Sequence, residues 1–510
     1  MTTFTDATVA TGAVSVTSAS EHFDVLVVGA GISGIDAAYH LQRDCPGKSF
    51  VVLEAQAGFG GTWRTHRYPG IRSDSDLFTF GYGFKPWLGA PIATAAEILK
   101  YLGEVITENQ LAPHIRYQHG IASAAWSSEQ RCWTVSATRP GADGQPESVQ
   151  ISANFLWMCQ GYYRHAEGYT PEWPGMDRFE GRIVHPQNWP ADLDLTGQQV
   201  VVIGSGATAA TLIPAIADQC AHVTMLQRSP TFFITGRNAN ELADTLRQLD
   251  IPTEWTHEIV RRKVLFDQAA FTRRCIAEPE AVRHDLLAGV SAALGPGFEA
   301  EVEQHFNPRY RPWQQRIAFV PNADLFKSVR ETKASVVTDQ IEAFTAHGIQ
   351  LKSGPVLKAD VVVTATGFNL SVLGDIRFTV DGQALKFGDS IAWRGTMFTG
   401  LPNLAWVFGY FRASWTLRAD LLSQLVCRLL QHMDARGAQV VVPALRPQDQ
   451  GMALNPWVDP ENFNPGYMAR GVALLPRQGN QAPWLHSQDY WTEKDELPLA
   501  DLDDGALVYR

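Results

Sequence analysis

The sequence predicts an α/β protein built from two Rossmann-like dinucleotide-binding domains, the second of which carries a helical insertion. Three observations support this prediction. A glycine-rich turn joins an apolar run to a helical pattern near residue 29, the same arrangement recurs near residue 204, and residues 238–330 follow helical spacing. The chain has 510 residues, which is too long for one ordinary core, so we expect several domains.

Composition and charge narrow the class of protein before any motif is considered. Hydrophobic residues make up 45% of the chain and charged residues 19%, as is usual for a globular protein. The formal net charge of −11 argues against nucleic-acid binding, which usually requires a basic surface. The six cysteines are scattered without a C-x-x-C pair, so we expect reduced thiols and neither a disulfide framework nor a metal site.

The first 20 residues, MTTFTDATVATGAVSVTSAS, predict a disordered arm. They are rich in Ser, Thr and Ala, and they lack both the basic and the sustained apolar segment of a secretion signal. The sequence has no run of about 18 apolar residues, so we expect no transmembrane segment. Together these features predict a cytoplasmic protein.

The first dinucleotide-binding unit begins with the stretch FDVLVVGAGISGIDAAYHLQ. An apolar run typical of a buried parallel strand ends at Val28, and a glycine turn and a helical pattern follow. Gly29 permits the tight turn, Gly31 lets the backbone approach a pyrophosphate, and Gly34 allows close packing of helix and strand. A second apolar run leads to Glu54, whose carboxylate can bind both hydroxyls of a ribose without a 2′-phosphate.

The same pattern recurs in the stretch QQVVVIGSGATAATLIPAIA, which is followed by HVTMLQRSP. No acid stands at the end of this second apolar run, where Gln227, Arg228 and Ser229 are found instead. An arginine and a hydroxyl at this place suit a 2′-phosphate, which favours NADPH over NADH as the second nucleotide. The residues expected to bind it are Gly204, Gly206, Thr208, Ala209, Arg228 and Ser229.

The predicted domains are discontinuous in sequence. The strand pattern ADVVVTATGFN returns the chain to the second domain after the insertion, and a long helical pattern within GYFRASWTLRADLLSQLVCRLLQHM returns it to the first. The proline-broken residues that follow are expected to wrap the surface. The predicted boundaries are 1–20 for the arm, 21–170 and 368–510 for the first domain, 171–237 and 331–367 for the second domain, and 238–330 for the helical insertion.

Two dinucleotide-binding units in one chain indicate a flavin together with a nicotinamide coenzyme. Disulfide reductases have this arrangement, but they need a redox pair of cysteines shortly after the first unit. No cysteine lies between Cys45 and Cys132, which excludes that class. The electrons are therefore expected to pass to oxygen, a quinone or a protein partner.

Two short motifs narrow the choice further. The stretch GGTWRTHRYPGIRSD has the layout G-G-x-W…Y-P-G-x-x-x-D, and FEGRIVHPQNWP has the layout F-x-G-x-x-x-H-x-x-x-W-P. On these motifs the chain resembles the Baeyer–Villiger monooxygenases, which are class B flavoprotein monooxygenases, and within them the branch that includes the thioamide-activating monooxygenases. The matching residues are Gly60, Gly61, Trp63, Tyr68, Pro69, Gly70 and Asp74 in the first motif and Phe179, Gly181, His185, Trp189 and Pro190 in the second.

The resemblance covers nearly the whole chain outside the N-terminal arm, and it implies specific roles. FAD is expected in the first unit, where Gly61 and Trp63 add contacts, and NADPH is expected in the second. Asp74 and Arg316 are expected to reach the flavin as the catalytic pair. Gln315 departs from many relatives, which carry a lysine there that helps to hold the 2′-phosphate.

The implied reaction inserts one atom of O₂ next to a ketone carbonyl to give an ester or lactone, with sulfoxidation as a side activity. It proceeds through a flavin C4a-peroxide, whose negative charge the guanidinium of Arg316 is expected to stabilise while Asp74 orients that guanidinium. Phe179, Gly181, His185 and Trp189 are expected to couple the position of the domains to the state of the cofactors.

Two alternatives stay open on the sequence alone. An N- or S-oxygenating flavin monooxygenase, which uses a C4a-hydroperoxide as an electrophile, shares both glycine motifs. A non-catalytic flavin-binding or redox-sensing scaffold would also keep them. The pattern leaves open which ketone or sulfide is the natural substrate, the oligomeric state, and how strictly NADPH is preferred over NADH.

Overall fold

The structure is a computed structural model that describes residues 21–510. The arm predicted for residues 1–20 lies outside the described residues. Within residues 21–510 the chain forms 27 strands and 13 α-helices. The strands are β1 Glu21–Val28, β2 Phe50–Leu53, β3 Ile115–Arg116, β4 Gly120–Ser127, β5 Cys132–Pro140, β6 Pro146–Met158, β7 Tyr163–Gly168, β8 Arg182–Val184, β9 Gln199–Ile203, β10 His222–Gln227, β11 Phe233–Gly236, β12 Ala318–Pro321, β13 Ala334–Thr338, β14 Ile341–Thr345, β15 Gly348–Leu351, β16 Val356–Lys358, β17 Val361–Thr364, β18 Phe368–Leu370, β19 Arg377–Val380, β20 Gln383–Ala384, β21 Ala392–Trp393, β22 Met397–Phe398, β23 Leu404–Trp406, β24 Val441–Pro443, β25 Asn455–Pro456, β26 Arg477–Gln478 and β27 Leu507–Tyr509.

The helices pack on the faces of the sheets and between them. They are α1 Ile32–Asp44, α2 Thr62–Thr65, α3 Leu77–Phe80, α4 Ala95–Glu108, α5 Ala207–Ile216, α6 Glu241–Gln248, α7 Thr253–Ala277, α8 Pro279–Leu294, α9 Glu299–His305, α10 Asp324–Arg330, α11 Trp415–Arg436, α12 Gly466–Gly471 and α13 Tyr490–Glu496.

The first unit is built on a nine-stranded mixed sheet with the order β20-β19-β4-β5-β6-β1-β2-β3, in which β23 also pairs with β6. β1 runs parallel to β2 and to β6, which aligns Val28 with Leu53 and with Met158. The last four residues of β1 are buried, as expected of a parallel strand covered on both faces. This strand leads directly into the first glycine turn.

The second unit is built on a five-stranded parallel sheet with the order β13-β10-β9-β17-β8. β9 lies at its centre and leads into the second glycine turn, and α5 follows that turn. Carboxyl ends of parallel strands meet at one edge of a sheet, so the turn after β9 lies beside the end of β17. Both units therefore present a glycine turn at the edge where dinucleotides bind in this architecture.

Helix α11 packs along α1 on the first sheet. His40 of α1 is buried, and one of its ring nitrogens lies 2.8 Å from a carboxylate oxygen of Asp420 on α11. Although burial opposes protonation, the hydrogen bond to Asp420 and the charge of Asp36 raise the pKa of His40 to about 9. A charged histidine therefore joins the helix of the first glycine turn to α11.

Residues 238–330 contain α6–α9, then β12 and α10. β12 pairs in parallel with β11, and α10 packs against α5 of the second unit. Helix α7 instead contacts the first unit, because the buried Arg261 donates hydrogen bonds to the carbonyl oxygens of Phe78, Thr79 and Gly81. This segment thus contacts both units.

The C-terminal residues pack more deeply than the expected surface wrap. The indole rings of Trp457 and Trp484 are 1% and 0% exposed. Glu493 of α13 forms a buried ion pair with Arg418 of α11, with 2.7 Å between Nε and the carboxylate. Proline interrupts the local periodicity here, but the aromatic side chains still fill the core of the first unit.

The architecture confirms the predicted fold class, a mixed α/β protein with Rossmann-like dinucleotide-binding units and added helices. No helix among residues 21–510 combines the length and the apolar composition that crossing a membrane requires.

Candidate active site

The first glycine turn leaves no room for side chains. Gly29 has a φ of +96°, which favours glycine. A Cβ on Gly34 would lie 1.8 Å from the carbonyl oxygen of Gly29, so helix α1 approaches β1 as closely as a backbone can. Gly31 caps α1 without a side-chain hydrogen bond, which leaves the first N–H groups of the helix available to a phosphate.

Glu54 closes one side of this turn. Its carboxylate is 5% exposed and accepts hydrogen bonds from the backbone N–H groups of Ala30 at 2.7 Å and Gln56 at 2.8 Å. Each oxygen retains a second lone pair. Glu54 is therefore fixed at the end of β2, where a ribose hydroxyl can donate to it.

The G-G-x-W segment faces the turn from the other side. Gly61 has a φ of +53°, and a Cβ built on it would lie 3.2 Å from Cα of Gly31. Trp63, in the short helix α2, packs edge-on against Phe80 with 5.8 Å between the ring centroids. The two glycine backbones therefore approach each other closely beside the N-terminus of α1, where a pyrophosphate can reach main-chain N–H groups.

The second glycine turn has the same plan with more open surroundings. Gly204 has a φ of +130°, and a Cβ there would lie 2.2 Å from the carbonyl oxygen of Ala365. Gly206 caps α5 without a side-chain hydrogen bond, and a Cβ on it would meet nothing within 4 Å. Thr208 follows in the first turn of α5, and Ala209 is fully buried beneath it. This turn also fits the pyrophosphate of a dinucleotide.

Arg228 and Ser229 lie beside the second turn, both exposed. The carbonyl oxygen of Ser229 accepts a hydrogen bond from the hydroxyl of Ser205 at 3.2 Å, which ties the residue to the turn. Gln227 points into the protein, where its amide donates to the carbonyl oxygen of His305 at 2.6 Å. Of the three residues singled out here, Arg228 and Ser229 are thus the two that can reach a ligand.

Asp74 and Arg316 meet between the two units. Nη2 of Arg316 lies 3.4 Å from Oδ2 of Asp74, and the side chains are 36% and 27% exposed. The negative charge of Asp74 raises the pKa of the Arg316 guanidinium above its usual range. A second cross-unit pair, Arg72 with Asp324 at 2.5 Å, braces the same loop. One ion pair therefore joins the loop of Asp74 to the loop of Arg316, and the other joins it to the start of α10.

Three tyrosines beside Arg316 were not assigned a role from the sequence. The hydroxyl of Tyr162 donates to that of Tyr163 at 2.7 Å, and Tyr467 packs edge-on against Tyr163 with 5.4 Å between ring centroids. Among the described residues, the buried hydroxyl of Tyr467 has no hydrogen-bond partner. Burial raises the pKa of all three phenols, which therefore remain neutral donors near neutral pH.

The residues of the F-x-G-x-x-x-H-x-x-x-W motif lie where the chain crosses between the units. Nε2 of His185 lies 3.1 Å from the carbonyl oxygen of Gly367, and Nδ1 accepts the N–H of Gln187 at 3.1 Å. A Cβ on Gly168 would lie 1.9 Å from the His185 ring. Burial lowers the pKa of His185, so the ring is a neutral donor that joins both connecting segments. Trp189 packs beside it against the core of the second unit.

Phe179 and Gly181 have local packing roles in the same motif. Phe179 is 9% exposed and packs edge-on against Phe344 with 5.8 Å between ring centroids. A Cβ on Gly181 would lie 2.2 Å from the carbonyl oxygen of Asp360 and 2.6 Å from the Phe179 ring. These two residues shape the start of β8, and neither lies at the Asp74–Arg316 pair.

Two dinucleotide cradles with an ion pair between them define an oxidoreductase that brings two dinucleotides together. Residues 27–102 match the family described as NAD(P)-binding Rossmann-like domain, and residues 92–242 match the family described as flavin-binding monooxygenase-like. The chain is 45% identical to the FAD-containing monooxygenase EthA of Mycolicibacterium smegmatis, over 96% of this chain and 97% of the relative. It is 42% identical to the probable FAD-binding monooxygenase AlmA of an Acinetobacter species, over 95% and 96%. The chain belongs to the flavin-binding monooxygenase family.

Solved structures show the same fold at low sequence identity. An oxidized steroid monooxygenase bound to NADP superposes with a TM-score of 0.73 at 23% identity, covering 96% of this chain and 99% of the other. A cyclohexanone monooxygenase bound to ε-caprolactone superposes with a TM-score of 0.70 at 19% identity, covering 96% and 100%. These structures confirm the fold, and the relatives at 42–45% identity confirm the family and show that the chain is a flavin-dependent monooxygenase.

Proposed function

We propose that the chain is an FAD- and NADPH-dependent Baeyer–Villiger monooxygenase. It inserts one atom of O₂ next to the carbonyl of a ketone to give an ester or lactone, and it oxidises sulfides as a side activity. The observation that carries the proposal is the ion pair of Asp74 with Arg316 between the two dinucleotide cradles. Nη2 of Arg316 lies 3.4 Å from Oδ2 of Asp74.

The first cradle would hold FAD and the second NADPH. Gly29, Gly31 and the N-terminus of α1 suit the FAD pyrophosphate, and Glu54 suits its ribose. The relatives described as FAD-containing or FAD-binding and the neighbour bound to NADP support this assignment. Arg228 and Ser229 would take the 2′-phosphate, since both are exposed beside the second turn.

Arg316 contributes a fixed positive charge at the reaction centre. Bound flavin that has been reduced by NADPH supplies electrons and a place where O₂ is activated. Arg316 stays protonated at working pH, so it stabilises negative charge that develops on oxygen beside it. Asp74 orients the guanidinium from the opposite loop. Tyr467 adds a neutral O–H donor that can hydrogen-bond to the substrate carbonyl oxygen.

His185 would couple the two units without touching substrate. Its hydrogen bond to Gly367 and its packing on Gly168 join the two chain segments that cross between the sheets. A shift of the second unit must pass through these segments, so His185 is a positioning residue for the motion that brings NADPH to FAD and then shelters the site.

The experiment that tests the proposal combines a ketone panel with the Arg316→Ala variant. The wild type should consume NADPH and O₂ and form esters or lactones from cyclic, linear or aryl ketones. In Arg316→Ala, ester formation should fall by ~10²–10³, the usual effect of removing one fixed electrostatic partner, while NADPH still reduces FAD. Exposed Arg237→Ala is the matched control.

Three outcomes would contradict the proposal. Ester formation at an ordinary rate in Arg316→Ala would contradict the role given to this residue. Oxidation of amines and sulfides with every ketone untouched would favour an N- or S-oxygenating enzyme. Absence of substrate-stimulated NADPH consumption would favour a non-catalytic flavin-binding protein.

A further inference from the structure

Arg311 and Arg412 bring two guanidinium groups together beside the loop of Arg316. Arg311 lies on that same loop, between α9 and β12, and Arg412 lies three residues before the start of α11. Both side chains donate to the carbonyl oxygen of Asn462, and Arg311 also donates to the side-chain oxygen of Asn462 at 2.9 Å. One asparagine therefore holds two positive groups side by side.

Among the described residues no carboxylate oxygen lies within 4.0 Å of either guanidinium, so neither forms an ion pair. The nearby charge of Asp459, which accepts a hydrogen bond from the side-chain amide of Asn462, only partly offsets the effect of burial on the pKa of Arg412. The acceptors that they use are neutral: the carbonyl oxygens of Asn462 and Trp313 and the amide oxygen of Asn462. Burial, together with the neighbouring charge of Arg311, lowers the pKa of Arg412. Such a pair is unfavourable unless an anion joins it.

Donors around the pair also lack partners. Within the described part of the chain, Nη1 of Arg311, Nε of Arg412 and the indole Nε1 of Trp313 are buried without a hydrogen-bond acceptor. Buried donors are normally satisfied, because each orphaned group costs about 1–3 kcal/mol. Two orphaned guanidinium donors that share one asparagine, with a third orphaned donor on the loop of Arg311, indicate a site that is completed by a ligand rich in acceptors.

The position of this cluster connects it to the proposed reaction centre. The ring of Phe411, next to Arg412, stacks on Phe463 with 4.4 Å between centroids. Trp415, at the start of α11, stacks on Tyr162 at 5.2 Å, and Tyr162 borders Arg316. Packed aromatic rings therefore lie between the guanidinium pair and Arg316.

We propose that Arg311, Arg412 and Trp313 form a subsite for an oxyanion group, which we assign to a carboxylate on the substrate. This inference rests on the proposed function and names a substrate class, namely ketones or sulfides that carry a carboxylate. Guanidinium groups bind carboxylates through paired hydrogen bonds, and the indole N–H adds a third donor. A phosphate of NADPH has the same chemistry, so the experiment distinguishes the two sources.

The test compares two ketones that differ in one charge, 4-acetylbenzoate and 4-acetylbenzamide. Their affinities for the purified, flavin-loaded enzyme are measured by isothermal titration calorimetry, which needs no turnover. We expect the carboxylate to bind ~10- to 100-fold more tightly than the amide, as charged hydrogen bonds usually provide. Arg412→Gln and Arg311→Gln should each remove most of this preference and leave affinity for the amide unchanged. Exposed Arg309→Gln, on the same loop, should keep it.

Equal binding of the two ketones, or a preference that survives in both variants, would overturn the subsite. A raised KM for NADPH in the variants, with the carboxylate preference intact, would assign the oxyanion to the coenzyme and overturn the assignment to substrate. A carboxylate preference that the variants remove, without any formation of 4-acetoxybenzoate, would support the subsite and contradict the Baeyer–Villiger reaction. Unchanged affinity for the amide shows that each variant is folded.

Discussion

The two glycine turns share one plan and differ at its third position, which is Gly34 in the first unit and Ala209 in the second. A Cβ at Gly34 would lie 1.8 Å from the carbonyl oxygen of Gly29, whereas the methyl group of Ala209 is accommodated with 0% exposure. The surroundings of the first turn are also more enclosed than those of the second. Gly61 and the buried Glu54 enclose the first turn, but nothing lies within 4 Å of a Cβ on Gly206.

This difference teaches how one chain can treat two similar ligands differently. An enclosed cradle holds its dinucleotide from several sides and suits a group that stays bound through many turnovers. An open cradle with exposed Arg228 and Ser229 suits a coenzyme that enters and leaves in each turnover. The contrast predicts that substitutions at the first turn abolish binding of FAD, and that those at the second turn alter exchange and selectivity.

The largest effect is expected from Gly34→Ala in the first turn. The new methyl group would overlap a backbone carbonyl oxygen that cannot move without displacing β1, so helix and strand must separate. We expect chains that are purified without flavin or that do not fold. The measurement is the absorbance of bound flavin per chain together with the thermal unfolding midpoint.

The matched controls for Gly34→Ala are Gly47→Ala and Ala209→Gly. A Cβ on Gly47 would meet nothing within 4 Å, so that variant should bind flavin fully. Ala209→Gly should bind flavin too, with a loss of about 1 kcal/mol from helix propensity alone. Full flavin content in Gly34→Ala would show that the close approach of α1 to Gly29 is not required for binding of FAD.

A smaller effect is expected from Arg228→Gln in the second turn. If this exposed side chain holds the 2′-phosphate, its loss should raise the KM for NADPH by ~10- to 100-fold and leave the KM for NADH unchanged. Steady-state kinetics with both coenzymes would measure this. Arg237→Gln, an exposed arginine further along the chain, serves as the control. Equal changes for both coenzymes would contradict a role in 2′-phosphate recognition.

The sequence predicts the parts of this contrast that lie in contiguous residues. The strand, turn and helix around Gly29 lie within one short stretch of sequence. The sequence also shows directly that Arg228, and not an acidic residue, follows β10. The roles of Asp74 and Arg316 follow from the resemblance to the family, and the structure brings the two side chains within 3.4 Å. Local patterns suffice for the glycine turn and for the end of β10 because neighbours along the chain set both, whereas the pairing of Asp74 with Arg316 was implied only by the resemblance to the family.

Other features could not be predicted because they depend on residues far apart in sequence. Tyr467 meets Tyr163 only after the C-terminal residues fold back on the first sheet. Trp457 and Trp484 are fully buried in segments that proline interrupts, where no periodicity indicates burial. The enclosure of Gly31 by Gly61 likewise requires the approach of two backbones, for which side-chain patterns carry no signal.

Tyr467 lies beside Arg316, between the two cradles. Tyr467→Phe should lower the rate of the reaction without changing the binding of FAD or NADPH. Removing the buried hydroxyl deletes one donor beside Arg316, and we expect kcat for a ketone to fall by up to ~10-fold. Flavin content and the KM for NADPH should stay at wild-type values. Tyr490→Phe, in which the phenol lies on α13, is the control. A loss of flavin or of NADPH affinity in Tyr467→Phe would mean that this phenol supports a cradle instead.

The smallest effect concerns the docking of α7 on the first unit, although α7 lies within the sequence of the second. Nδ1 of His257 accepts the backbone N–H of Trp87 at 3.2 Å, and the ring is 3% exposed. Burial, with the charge of Arg261, lowers the pKa of His257 to about 4. The neutral ring is thus the form that fits the interface.

Because the pKa of His257 is lower in the folded protein, the unfolded chain binds protons more readily between about pH 6.5 and pH 4. The stability contributed by this residue is fully present above about pH 6.5 and decreases as the pH falls, by about 1 kcal/mol between pH 7.5 and 5.5. Hydrogen exchange along Thr253–Ala277 should therefore accelerate at pH 5.5, after correction for the intrinsic rate. The glutamine in His257→Gln still offers an acceptor to the N–H of Trp87 but does not titrate. Protection of α7 from hydrogen exchange should therefore change less with pH in this variant than in the wild type. Identical pH dependence in the two proteins would show that His257 does not control this interface.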